Sequence, residues 1–395
     1  MLAIATALLA TIALTLLGWP ASDYRHSDFF QFWAGSRLLF EGSDPYDRVQ
    51  WARIYAREAS GPLAMLALTG RSAYPPWSMI VLLPLGALPF AAAAATWLIA
   101  QVTLVLWALL ALARSAGCAR RELVLLLGIA AAFQPLWLIV GGGNITGFMF
   151  AAFVVALLAT LRGRPIVAGV ALALLAVKPH LFLLAVPALF AVAPPPARPR
   201  IAIAGSIALA LLVAVTLPFG SSLFGEWLAS AADLQRTTGS NATVWTIGRV
   251  LPGGAVVGAA LATYAVAVLI LWWRAARRGP LELVAGAVPI SLFVAPHGWS
   301  YDQVLLLVPL VVILRDIGTM TDRRRIAALL AVAAIAVVLP WALYAIAVQR
   351  GGEEWSAMTP LAVFGMLVWA GGSRPADRER GQVGEQTPHS RRQEP

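Results

Sequence analysis

Apolar runs follow one another along nearly the whole chain, each closed by a short polar stretch, and several approach or exceed the roughly 20 residues that cross a bilayer as a helix. Arginines punctuate the runs in clusters: Arg114/Arg120/Arg121, Arg162/Arg164, Arg198/Arg200, Arg274/Arg277/Arg278, Arg315/Arg323/Arg324/Arg325, and a tail from Arg374. Such spacing is that of cytoplasmic loops under the positive-inside rule. With every cluster inside, the runs between clusters cross outward and return in pairs: 123–141 with 144–161, 165–178 with 180–193, 201–217 with 254–273, 281–296 with 302–315, and 326–348 with 357–371.

The first part of the chain needs one outward and one inward crossing to match. Residues 2–20 cross outward as a retained anchor, since they lack a basic start and a small-residue cleavage site. Residues 21–76 form a long outer loop, and Pro84 and Pro89 mark 77–89 as an interfacial or re-entrant piece before one crossing at 91–113. The expectation is an all-α polytopic membrane protein of about twelve crossings with both termini cytoplasmic. Its membrane domain covers 1–373, with a second outer loop at about 218–252 and a disordered cytoplasmic tail over 374–395. Some runs are short: 165–178 reaches only about 21 Å as a helix against a core of about 30 Å. Its outer turn, and the one at His297, therefore lie below the surface, where irregular backbone must line a protein cavity.

Composition strengthens this reading. The 395 residues are 60% hydrophobic and 12% charged, whereas a soluble domain carries about a quarter charged residues. The net charge of +10 is scattered between spans and forms no contiguous basic face, so nucleic acid is not an expected partner. The single cysteine, Cys118, excludes an intrachain disulfide. Metal-ligand spacings of the Cys/His type, a P-loop and a dinucleotide fingerprint are all missing, so no nucleotide cofactor is expected, metal dependence stays open, and an enzyme here would draw on a lipid-linked substrate.

The conspicuous polar residues gather on the predicted outer side. Lys178 is the only lysine among 29 basic residues. It reads either as a lysine snorkelling to the interface or as a ligand for an anionic group, since an intramembrane charge usually lines a ligand path. His180 follows, as a polar cap or a ligand. In the first outer loop, helical spacing places Asp28, Phe32 and Gly35 on one face with Phe29, Trp33 and Arg37 beside it. An amphipathic helix on the membrane surface is expected, with Asp28 as its N-terminal cap or as an acid with chemistry to do. Pro296-His297-Gly298-Trp299-Ser300-Tyr301-Asp302 is a turn with interfacial aromatics, which explains Trp299 and Tyr301 better than His297 and Asp302.

Four segments taken in order resemble glycosyltransferase family 87: Asp28-Phe29-Phe30-Gln31-Phe32-Trp33-Ala34-Gly35-Ser36-Arg37 followed by Gly42-Ser43-Asp44-Pro45-Tyr46; Tyr74-Pro75-Pro76; Lys178-Pro179; and Pro296-His297 before Tyr301-Asp302. They span about residues 20–315. The resemblance implies a GT-C fold and a multi-pass protein of the cell (inner) membrane with its active site on the outer face. It implies a polyprenyl-phosphate-sugar donor as co-substrate, typically the mannose form, a glycolipid or glycan acceptor, and inverting displacement. Asp28 maps onto the essential acid of the first loop and would be the general base, with Asp23 near enough to compete. Lys178 would meet the donor phosphate, assisted by Arg37 or His297; Asn144, His180, Tyr301 and Asp302 would bind substrate. Members often carry Gly-Gln where this chain has Gly143-Asn144, a difference that bears on specificity.

A transporter or flippase of a lipid-linked or anionic solute is the competing reading. It calls for inverted repeats and midplane polar residues from both halves, and the sequence shows neither. A non-catalytic scaffold explains the one-sided loops but leaves Lys178 without a role.

Overall fold

The computed structural model describes residues 28–58, 72, 74–237, 241–275 and 279–372. The expected anchor at 2–20, Asp23 and the tail from Arg374 lie outside the described residues. The described residues fold into helices and turns without a strand.

In the first loop come α1 (Asp28–Phe40) and α2 (Arg48–Glu58), then two short helices, α3 (Pro76–Val81) and α4 (Leu83–Gly86). Next is one long helix, α5 (Phe90–Ser115), so 77–113 holds a broken entry and a single crossing-length helix, as the prolines imply. A bent pair follows, α6 (Arg120–Ala132) and α7 (Gln134–Gly142), then α8 (Thr146–Leu161) and α9 (Pro165–Leu174). The chain continues through α10 (Ala185–Val192), α11 (Arg198–Ala214), α12 (Leu223–Thr237), α13 (Val244–Val250) and α14 (Gly254–Ala275). It ends with α15 (Pro280–Val294), α16 (Leu307–Gly318), a helix over Asp322–Arg350 and α17 (Met358–Gly372).

Five of these stretches are long and apolar enough to cross a membrane alone, and the α6–α7 pair makes a sixth if its 54° bend lies within one span. Helices α8, α9 and α15 are apolar but shorter. The protein is thus a helical membrane protein, while the count of about twelve crossings does not follow from helix length and composition.

Breaks in the helices have identifiable causes. Pro135 has no N–H to offer Ala131, and the chain bends at Phe133. The freed carbonyls are taken by indoles: Trp137 Nε1 donates to Ala131 O at 2.7 Å and Trp341 Nε1 to Ala132 O at 2.9 Å. In the Asp322–Arg350 helix, Pro340 is preceded by a π-helical turn at Ala334–Val338, which absorbs its missing donor.

Helix α1 departs from the expected amphipathic surface helix. Phe29, Phe30, Phe32 and Trp33 are all buried, so the helix packs its aromatic side chains inside the protein rather than lying on its surface. Phe29 packs on Trp97 at 5.1 Å between ring centroids, Phe30 on Tyr55 at 4.7 Å and Trp33 on Phe90 at 5.2 Å. Trp33 Nε1 donates to Leu88 O, and Ser36 Oγ lies 2.8 Å from Met79 O. Helix α2 is the more exposed of the two, burying only Trp51 and Ile54.

Candidate active site

Four stretches that lead into the site carry an arginine of the predicted inner set near one end and a polar residue at or beyond the other: Arg120 and Asn144, Arg162 and Thr146, Arg164 and Lys178, Arg315 and Asp302. Helix α7 stops at Gly143, whose left-handed φ of 62° reverses the chain at little cost. Trp97 Nε1 of α5 donates to Gly143 O at 2.9 Å and Gln101 Nε2 to Asn144 O at 2.8 Å, so the long helix fixes this reversal. Helix α9 gives way to 3₁₀ turns at Leu175–Val177 and Pro179–Phe182, with Lys178 between them. That irregular backbone is satisfied from α15: Ser291 Oγ donates to Leu181 O at 2.8 Å and accepts from Leu184 N at 3.1 Å.

The 297–302 turn is anchored from several directions. Ala242 N donates to Gly298 O at 2.7 Å, Trp245 Nε1 to Val294 O at 3.0 Å and Ser300 N to Glu353 Oε2 at 2.7 Å. Asp302 Oδ2 accepts from Trp299 N at 3.0 Å, which closes the turn.

Asn144 is the hub. It is fully buried, and its amide donates to Asp28 Oδ2 at 2.6 Å and to Tyr74 Oη at 3.4 Å. Its carbonyl oxygen accepts from Thr146 N at 3.0 Å and from Lys178 Nζ at 3.2 Å. The Thr146 hydroxyl stands 2.6 Å from both Asn144 Oδ1 and Asp302 Oδ1, with one proton to share between them. Lys178 Nζ also donates to Asp302 Oδ1 at 2.9 Å and Thr146 Oγ1 at 3.3 Å, and lies 4.8 Å from the centre of the Tyr301 ring. Lys178 and Asp302 are 6% and 1% exposed, so this is a buried ion pair with every lysine proton engaged.

Asp28 stands differently. It keeps partial exposure at the start of α1 and is held by Asn144 and Tyr301. Desolvation pushes its carboxyl above the usual range, opposed by the Asn144 bond and the Lys178 charge. His180 and His297 lie edge to face, 6.1 Å apart. His297 Nε2 accepts from Trp299 Nε1 at 3.0 Å, whereas buried His180 Nε2 has no hydrogen-bond partner.

Of the residues singled out in the sequence, Asp28, Asn144, Lys178, Tyr301 and Asp302 form one connected cluster, with His180 and His297 facing each other beside it. Arg37 is not brought to it. Nine positions along α1 from Asp28, about 13 Å of helix, Arg37 bonds Glu41 Oε1 at 2.7 Å and Gly86 O at 3.2 Å. Sequence reading passed over Thr146 and the phenol of Tyr74. Thr146 carries the signal of a hydroxyl two places after a buried amide, at the first turn of an apolar helix. Among the described residues, no group of three or more His, Cys, Asp or Glu is arranged to hold a metal ion.

Beside the cluster is an apolar cavity of about 280 Å³ lined by Trp77, Trp97, Trp107, Phe148, Ile145 and Val177, among others. Ile145 and Val177 are the chain neighbours of Asn144 and Lys178.

Fold and site together define a membrane-embedded helical protein with a buried polar centre against an apolar cavity. A family comparison matches glycosyltransferase family 87 over residues 73–296, more than half of the chain, and the chain belongs to that family. Comparison with curated proteins and with solved structures gives no match. The matched region takes in Tyr74, Asn144 and Lys178, while Asp28 and the His297–Asp302 turn fall outside it. Family membership makes the protein a glycosyltransferase, with a sugar donor and an acceptor as substrates, and decides against the transporter reading.

Proposed function

We propose that the protein transfers a sugar, mannose in the first instance, from a polyprenyl-phosphate-sugar to a hydroxyl of a glycolipid or glycan on the non-cytoplasmic face of the cell membrane. The observation that carries this reading is a buried polar cluster whose chain neighbours, Ile145 beside Asn144 and Val177 beside Lys178, line an apolar cavity. A prenyl chain suits the aromatic and aliphatic lining, and a phosphate carried past Ile145 and Val177 would reach Asn144 and Lys178.

Asp28 is the general base. It takes the proton of the acceptor hydroxyl as that oxygen attacks the anomeric carbon from the face opposite the phosphate, and the carbon–oxygen bond to phosphate breaks with inversion. Polyprenyl phosphate leaves as an anion and needs positive charge rather than a proton. Lys178 supplies that charge, with the protons now on Asn144 and Thr146 free to turn toward phosphate while Asp302 keeps the ammonium in place. His180 and His297 line the approach and Tyr301 presents a ring to the sugar. Arg37 serves to hold α1 against α4.

The test is transfer of label from radiolabelled polyprenyl-phosphate-mannose in purified membranes. Wild type is expected to label an acceptor, and Asp28→Asn to abolish transfer while remaining folded. Donor left unconsumed by wild type points to another sugar, and full activity in Asp28→Asn removes the assigned base.

A further inference from the structure

A second apolar cavity, of about 790 Å³, runs along the outside of the bundle between α9 and α11. The two helices carry Arg164 and Arg200 at their first turns and touch backbone to backbone: a Cβ on Gly169 would fall 2.4 Å from Ile201 O, and Gly205 packs against Gly169 from the other side. This close approach makes a narrow floor, from which Ile166, Val167, Val170, Ile203, Ile207 and Leu211 rise as walls. Helix α11 belongs to the least buried of the crossing-length stretches, at 11%, so among the described residues little covers the groove.

Charge and length together say what fits. Every formal charge between Glu122 and Glu226 is positive: Arg162, Arg164, Lys178, Arg198 and Arg200. Arg198 turns back onto Ala193 O and Ala191 O. Among the described residues, no acid pairs with Arg164 or Arg200, which stand together at the mouth of the groove. From Arg200 to Leu211 the helix rises about 16 Å, close to half of a hydrocarbon core of about 30 Å. The groove therefore spans one leaflet from a cationic mouth, whereas a partner helix would need a track through both.

We propose that this groove is a binding site for one anionic phospholipid, its phosphate-bearing headgroup on Arg164 and Arg200 and an acyl chain along Ile203, Ile207 and Leu211. Basic residues at the membrane end of an interhelical pocket are the arrangement that holds acidic headgroups. The inference stands apart from the transfer reaction, because the groove lies outside the polar cluster.

The experiment uses the full chain in lipid nanodiscs, with a photoactivatable diazirine in the acyl chain of either phosphatidylglycerol or phosphatidylcholine, and maps the crosslinked peptides. The phosphatidylglycerol probe is expected to label residues 166–170 and 203–211 about tenfold more than the phosphatidylcholine probe, given the attraction of two basic residues. Arg164→Gln/Arg200→Gln should fall to the phosphatidylcholine level, and Arg164→Lys/Arg200→Lys should stay near wild type. Should the glutamine variant fail to fold, competition by unlabelled phosphatidylglycerol against the wild-type signal decides. Equal labelling by the two probes overturns the proposal. So does labelling unmoved by the glutamine variant or by competition, or chain-to-chain crosslinks in place of lipid adducts.

Discussion

Asp28 and Asp302 belong to one cluster, yet their surroundings divide them. Asp302 is saturated by Lys178, Thr146 and the Trp299 amide, whereas Asp28 has Asn144 and Tyr301 and stays partly exposed. Two carboxylates in unlike environments take unlike roles, and only Asp28 can accept a proton without dismantling an ion pair. Asp28→Asn should lower transfer by about 10²–10⁴-fold, the usual weight of a general base. The acid limb of the rate profile should sit above the ordinary aspartate range, since burial raises the Asp28 pKa. In Asn144→Ala, which loses a bond favouring the carboxylate, that limb should move further toward neutral pH. Raised in the folded protein, this pKa adds stability only at low pH, and the contribution fades as pH climbs through it. Asp28→Asn should therefore melt no lower than wild type at neutral pH, which thermal unfolding in detergent checks.

At the scale of elements, the position of Asp28 depends on how closely α1 lies on α4. A Cβ at Gly86 would fall 2.6 Å from Ser36 C and 2.7 Å from Arg37 N, both backbone atoms that cannot swing aside. Gly86→Ala should destabilise by about 1–3 kcal/mol and lower transfer although it touches no substrate. Wild-type activity and melting temperature would show that α1 is not seated this way. Much of this was legible in the chain: Pro84 and Pro89 announced the broken entry, and the arginine clusters bracketed the helices. The burial of α1 was not. The spacing of Asp28, Phe32 and Gly35, with Arg37 beside them, suggested a surface helix, but Asp28 is held by Asn144, Ser36 lies on Met79 O and Arg37 bonds Gly86 O. Polar residues with internal partners look like surface residues until those partners are known.

Across the whole molecule, the site joins α1, the Tyr74 loop, the α7–α8 reversal, the break after α9 and the 297–302 turn. In so apolar a sequence Lys178 and Asp302 stand out singly, but their pairing over 124 positions has no local signature. Removing one partner of a buried pair costs about 3–5 kcal/mol, while replacing both by apolar groups is often tolerated. Lys178→Met should therefore lose stability sharply, and Lys178→Met/Asp302→Leu should recover part of it without recovering transfer. Chemical denaturation with activity measured in parallel distinguishes the two. Orientation is tested in a Cys118→Ser background, where an impermeant thiol reagent should reach Arg164→Cys and Arg57→Cys from opposite sides of the membrane.

The same pair has a consequence for biogenesis. At about 5–20 residues per second, roughly 6–25 s separate the emergence of Lys178 from the ribosome and that of Asp302. Through that interval a lone ammonium must wait at the lipid or in the insertion machinery, in a segment too short to span on its own. Nascent chains halted before residue 302 should accordingly be left exposed to membrane quality control, and those halted beyond it should survive. The counter-charge that completes the buried polar cluster would then also mark the moment at which the chain becomes safe to release.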